Sequence, residues 1–125
     1  TGFGFAGHLF EMAQNSACAV EIYIDRIPLL PGAAKLARRG ISSSLQPQNI
    51  RIRHSIRASA NLAAHAGYPV LCDPQTAGGL LASGAEAQAE KCLRQLKSLG
   101  YTHAEVVGRV VETTDPDAIL SLVNY

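Results

Sequence analysis

The run Asp73-Pro74-Gln75-Thr76-Ala77-Gly78-Gly79-Leu80-Leu81 constrains the fold of this chain more than any other stretch. A proline fixes one backbone angle, short polar side chains surround it, and two flexible glycines then lead into an apolar pair. The pattern predicts a held turn that delivers residues 80–82 into the core. A turn of this kind beside a core segment is what close approach of backbone to a ligand requires.

On either side of the turn, helical and strand periods alternate. The opening glycines lead into a helix over 8–14, with Leu9, Met12 and Ala13 on its apolar face. Residues 19–24 predict a strand, because Val20, Ile22 and Ile24 alternate with Glu21 and Tyr23. Pro31 opens a second helix that carries Leu36 and Ala37 and ends at Gly40 in a left-handed cap, after Arg38 and Arg39. A polar loop over 41–48 follows. Ile52, Ile56, Ala60 and Ala63 then recur every fourth residue behind Asn49, a helix cap, which predicts one helix up to Gly67 with Arg53 and Arg57 on the same face. Residues 70–72 predict a short apolar strand. Ser83 and Glu86 have capping-box spacing for a helix through Leu93 and Leu96 that stops at Gly100. Residues 103–111 predict a strand, and Asp115 with Pro116 a short C-terminal helix. Strands separated by helices, with no repeat and no linker, define an α+β class: a layered α/β sandwich with a mixed sheet.

With 125 residues the chain is one domain by size, residues 1–125, with room for a single core. Hydrophobic residues make up 47% and charged residues 17%, the balance of an ordinary globular protein rather than a disordered one. No apolar run reaches the ~20 residues a bilayer requires, and the start lacks the features of a signal peptide, so no membrane partner and a cytoplasmic location are expected. The chain opens with Thr1 at a glycine-rich turn and reads as a fragment of a larger protein. Cys18, Cys72 and Cys92 are odd in number, have no Cys-x-x-Cys spacing and sit among apolar neighbours; they are expected to be reduced, buried packing residues.

Net charge is +1, unevenly spread. Residues 26–72 hold seven basic side chains (Arg26, Lys35, Arg38, Arg39, Arg51, Arg53, Arg57) and no acid, a segment charge of +7 against −6 elsewhere. Such a segment attracts an anionic ligand in a salt-dependent way, or else is a solvated face or a contact with another domain. With no Trp, few aromatics and no recognition motif, nucleic acid is not the expected partner. Gly2, Gly4 and Gly7 satisfy G-x-G-x-x-G, and Glu21 lies near the position of a ribose-binding acid, but the strand-helix-strand half that a dinucleotide fold needs does not follow. These glycines either present helix N–H groups to a phosphate or allow tight packing. His8 is a phosphate donor or a local backbone cap, while His54, His65 and His103 have no metal-ligand spacing. Asp73 before Pro74 reads as a turn-forming carboxylate in preference to a Mg²⁺ ligand. No nucleophile elbow is present.

The 73–81 run resembles the Asp-Pro-Gln-Thr-Ser-Gly-Gly-Leu-Leu signature of selenophosphate synthetases (selenide, water dikinases), with Ala77 where that family usually has Ser. Thr1-Gly2-Phe3-Gly4-Phe5-Ala6-Gly7-His8 is similar to the Thr-Gly-Phe-Gly-x-x-Gly-His stretch that opens the family's C-terminal domain. Leu29-Leu30-Pro31-Gly32-Ala33 and Val107-Gly108-Arg109-Val110 also look like family positions, so the resemblance runs to about Val111. After Gly40, the run Ser42-Ser43-Ser44-Leu45-Gln46-Pro47-Gln48-Asn49 departs from the usual glycine- and threonine-containing loop. It is similar to the variant fused to an NADH-dehydrogenase-like flavoprotein module.

The resemblance implies a fold like the C-terminal domain of aminoimidazole ribonucleotide synthetase. It also implies a parent enzyme, a homodimer, that converts ATP, selenide and water into selenophosphate, AMP and phosphate with Mg²⁺ and a monovalent cation. In such an enzyme this domain closes one side of the nucleotide and product cleft. Its N-terminal ATP-binding partner domain brings the redox Cys or selenocysteine, a lysine and most metal ligands. Nucleotide or phosphate contacts are then expected at Thr1, Gly2, Gly4, Gly7, His8, Thr76, Gly78 and Gly79, with no catalytic residue and no metal site within the chain, which is expected to be inactive alone. The alternatives are a non-catalytic binding or assembly module, or the equivalent domain of another ATP-dependent synthetase of the same superfamily.

Overall fold

A computed structural model describes residues 2–113, 115 and 117–125. Its centre is a four-stranded sheet with the order β2-β4-β1-β3, formed by β1 (Ala19–Tyr23), β2 (Ile56–Arg57), β3 (Gly108–Val111) and β4 (Leu120–Val123). β1 runs parallel to β4 and antiparallel to β3, and β2 runs parallel to β4, so the sheet is mixed. Side chains alternate across a strand. Val20 and Ile22 therefore share a face with their register partners Leu120 and Leu122, and all four are buried. Helix α1 (Gly4–Asn15) packs Ala6, Leu9 and Ala13 into the same core. The opposite face carries Glu21, whose carboxylate accepts from Arg109 Nε at 2.6 Å across the β1–β3 pair. The α+β sandwich with a mixed sheet is the fold read from the sequence.

Several elements differ from expectation, each for a local reason. α1 starts four residues earlier than the apolar stripe indicates, at Gly4. β1 ends at Tyr23, and Ile24 turns into a 3-10 helix, Ile24–Arg26, while still burying its side chain. The helix after Pro31 forms as α2 (Ala33–Arg38), and Gly40 takes the left-handed φ of 73°.

The single helix expected behind Asn49 is instead four pieces: α3 (Gln46–Asn49), a 3-10 helix Ile50–Ser55, β2, and α4 (Ala60–Ala63). Ile56 is drawn into the sheet opposite Leu120, which a continuous helix would forbid. Arg53 and Arg57 consequently do not share a helix face: Arg53 lies over the Tyr68 ring at 5.7 Å, and Arg57 donates to Asp115. Residues 68–72 form a 3-10 helix, not a strand, because Pro69 sits in its first turn and has no N–H for a ladder.

Of residues 80–82, only Leu81 reaches the core, half-buried against it, while Leu80 is 98% exposed and Ala82 is exposed; the chain leaves the interior after Cys72 and touches it again at Leu81. Ser83 caps nothing. A 3-10 turn, Glu86–Gln88, precedes α5 (Ala89–Ser98), which buries no residue and closes at Gly100 with φ 97°. β3 is shorter than expected because Val106 N–H donates to the Glu105 carboxylate instead of to a neighbouring strand. The C-terminal helix is replaced by β4, whose Leu120 and Leu122 fill the centre of the sheet; Pro116, its expected start, lies outside the described residues. Of the cysteines, Cys72 is buried, Cys18 half-buried and Cys92 exposed, which corrects the expectation for Cys92 on a helix with no cover. No helix among the described residues is long and apolar enough to cross a membrane.

Candidate functional site

The two glycine motifs, far apart in sequence, meet at their roots. Gly4 has φ 74°, and a Cβ there would lie 2.9 Å from the Cys72 carbonyl carbon, 3.0 Å from Asp73 O and 3.1 Å from Leu71 O. Only a glycine lets the start of α1 rest on that stretch of backbone. Gly7 serves a related purpose, because a Cβ on it would lie 2.9 Å from Phe3 Cβ. Phe3 folds back over the first turn of α1, and its ring sits 5.7 Å from that of His8. Among the described residues, Phe3 at the N-cap position makes no side-chain capping hydrogen bond to α1. Its first N–H groups have no intrahelical acceptor and mark the positive end of the helix dipole beside the 73–81 loop.

Two side-chain amides on α3 hold this junction, and sequence reasoning had Asn49 only as a helix cap. Asn49 Nδ2 donates to Gly2 O at 2.5 Å and to Cys72 O at 3.2 Å. Gln46, buried to 8% exposure, donates through Nε2 to Pro69 O at 2.7 Å. The available signal was two amide residues three apart, hence on one face of a short helix. Beside them, Leu36, Ile41, Gln46, Pro69, Val70 and Asp73 line a shallow cavity of about 260 Å³.

The tip of the loop is open. Thr76, Gly78 and Gly79 are exposed, and Gly79 has no atom within 4 Å of where a Cβ would be. At Gly78 a Cβ would meet the mobile end of the Gln75 side chain, Oε1, at 2.8 Å. Neither glycine has a left-handed φ, so the fold of this chain does not itself require glycine at either position. Gly2 also has nothing within 4 Å of where a Cβ would be, but its left-handed φ of 90° itself favours glycine. Thr1 lies outside the described residues. Burial pushes the Cys72 thiol pKa up, opposed by the nearby Arg53 guanidinium.

Other expected residues play structural parts. His65 accepts from Gly67 N–H through Nδ1 and lies 3.1 Å from Asp25 through Nε2, fixing the turn before residue 68. Arg26 pairs with Glu105 at 3.1 Å and lies 3.7 Å from the centre of the Tyr125 ring. The basic 26–72 segment is therefore partly neutralised by acids from elsewhere in the chain. Among the described residues no three His, Cys, Asp or Glu side chains form a group that could hold a metal ion.

This arrangement, a mixed sheet with a glycine-opened helix packed on a glycine-rich loop, defines an α+β domain class. The match to the model of AIR synthase related protein, C-terminal domain, spans residues 1–121, and the chain belongs to that family. It is similar to the selenide, water dikinase of Clostridioides difficile (strain 630), 36% identical over 112 residues that cover 89% of this chain and 32% of that protein. The selenide, water dikinase of Clostridium botulinum (strain Eklund 17B / Type B) is 34% identical over 121 residues, covering 96% and 34%. That of Pelobacter propionicus (strain DSM 2379 / NBRC 103807 / OttBd1) is 38% identical over 112 residues, covering 90% and 32%. The chain thus spans about a third of the length of the curated relatives it matches. The resemblance to selenophosphate synthetases seen in the glycine motifs extends over nearly the whole chain.

Proposed function

We propose that this chain is the C-terminal domain of a selenide, water dikinase, in which ATP, selenide and water become selenophosphate, AMP and phosphate. The observation that carries the proposal is the seating of Gly4 on the backbone of residues 71–73, which brings the helix-opening motif and the 73–81 loop to one place. The first turn of α1, which Phe3 does not cap, offers N–H donors and positive potential to a phosphate group. On this reading Gly2 and His8 flank that donor set, and Gly4 and Gly7 shape the backbone that carries it. Thr76 offers a hydroxyl and an N–H, while Gly78 and Gly79 let the loop backbone come close to nucleotide or product.

The residues present suit a phosphate group better than a metal, since Asp73 is a lone carboxylate at the junction. Mg²⁺ would neutralise phosphate charge during transfer and is assigned, with the redox residue and the lysine, to an N-terminal ATP-binding domain of the same protein. This chain's own work is to close one side of the cleft, orient phosphate oxygens and exclude water. The reading further places the enzyme in the cytosol as a homodimer.

The test is ³¹P NMR of MgATP and selenide mixed with the full-length protein or with the 125-residue chain alone. Selenophosphate and AMP are expected from the former and nothing from the latter. ATP turnover by the full-length protein without dependence on selenide would overturn the proposed reaction. Selenide-dependent AMP formation by the 125 residues alone would overturn the division of labour.

A further inference from the structure

Asn49 stands at the end of α3, half-buried, and its amide is the only side-chain group among the described residues hydrogen-bonded to both motif backbones. An NH₂ group has two protons, so one nitrogen can serve both carbonyls. Without it, the Gly2 and Cys72 oxygens would lose the side-chain donor they share, which is unfavourable at the buried Cys72 end. The amide is delivered from an anchored base, because Gln46 on the same short helix is tied to Pro69 O. Gly4 closes the contact from the α1 side by leaving no Cβ against residues 71–73.

We infer that Asn49 is a positioning residue: its amide sets the register between the first turn of α1 and the root of the 73–81 loop, and so aligns two sets of phosphate-facing groups without touching substrate. The inference deepens the proposed function and rests on it for its kinetic consequence. Its structural consequence stands apart. Losing the amide should loosen both backbone segments together, because neither carbonyl has another side-chain donor among the described residues.

The experiment compares Asn49→Asp and Asn49→Gln with wild type in the full-length protein. Asn49→Asp keeps the shape but turns an acceptor toward two carbonyls; Asn49→Gln keeps the donor on a longer arm. Hydrogen exchange read by mass spectrometry should accelerate in Asn49→Asp by about fivefold or more in peptides covering both 2–7 and 73–80, the scale of one lost buried hydrogen bond. The KM for MgATP should rise by a similar factor, roughly fivefold, well below the melting midpoint. Asn49→Gln should recover most of both effects. A simple loss of folded enzyme lowers apparent kcat and leaves KM in place, so the KM change separates positioning from stability. If Asn49→Asp does not fold, Asn49→Ala carries the same expectations. Unchanged exchange in either peptide overturns the inference, as does faster exchange with a wild-type KM, or a Gln variant as impaired as Asp. A wild-type protein without selenide-dependent turnover would sink the proposed function instead, and the exchange measurement would then decide the Asn49 clasp by itself.

Discussion

Replacing Gly4 by alanine tests whether the opening motif is built for packing at its second glycine, and the expected loss follows from two terms. Alanine must adopt the φ of 74° seen at Gly4, and an L residue in left-handed conformation costs roughly 1–2 kcal/mol. Its Cβ would also press on three backbone atoms at 2.9 to 3.1 Å, none of which is the mobile end of a side chain. Overpacking of that kind costs about 1–3 kcal/mol. Together they predict a loss of about 2–5 kcal/mol, and since 1 kcal/mol moves the midpoint of a domain this size by roughly 4 °C, Tm should fall by about 8–20 °C. Gly79→Ala is the matched control, with open space at Cβ and no left-handed φ. It should leave Tm unchanged or raise it, by up to about 1 kcal/mol of reduced unfolded-state entropy. Circular dichroism melts of the three proteins side by side give the answer. A Gly4→Ala midpoint within about 2 °C of wild type would refute the packing argument, and so would a Gly79→Ala loss as large as that of Gly4→Ala.

In the full-length enzyme, Gly79→Val should lose most selenide-dependent synthesis and Thr76→Ala less, with both melting cooperatively; wild-type activity in folded Gly79→Val would make the loop a structural relic. The raised pKa of Cys72 contributes stability that is fully present below the unfolded thiol's pKa and is lost as pH rises from there through the folded value. Urea unfolding from neutral to alkaline pH should therefore show a decline that is shallower in Cys72→Ala, and identical slopes would refute it. ATP titration followed by NMR should shift signals at Arg51 and Arg53 more than at Arg57, which already pairs with Asp115, and ~0.5 M salt should weaken the shifts; salt-independent shifts would rule out the electrostatic reading.

What was legible in the sequence was whatever depends on a short window. β1 is visible because its alternation is complete within five residues, and Gly40 and Gly100 end their helices at left-handed φ as their positions indicate. The 50–67 stretch misleads because its four-residue apolar spacing also suits a chain that bends. Ile56 is claimed by the sheet through a parallel pairing with Leu120, and nothing within residues 50–67 announces that partner. β4 fails for the same reason: Asp115 and Pro116 are sound helix openers, but Leu120, Ser121 and Leu122 alternate, and burial between β1 and β2 outweighs local propensity.

The site divides along the same line. A glycine demanded by backbone geometry leaves a mark in the sequence, as Gly2 and Gly4 do in the 1–8 motif; the 73–81 motif stood out by its composition instead. A side-chain amide that satisfies two remote carbonyls leaves none, because Asn49 in a window of its own looks like any helix cap. The structure further separates glycines that a motif treats alike. Gly4 and Gly7 are needed by the domain itself, whereas Gly78 and Gly79 sit in an exposed loop that would fold with side chains there. Glycine at those two positions therefore has no packing account among the described residues, which is the observation the proposed phosphate contact would explain. Leu80, 98% exposed at the end of the same loop, likewise has no packing account, whereas its neighbour Leu81 packs against the core and anchors the loop's exit.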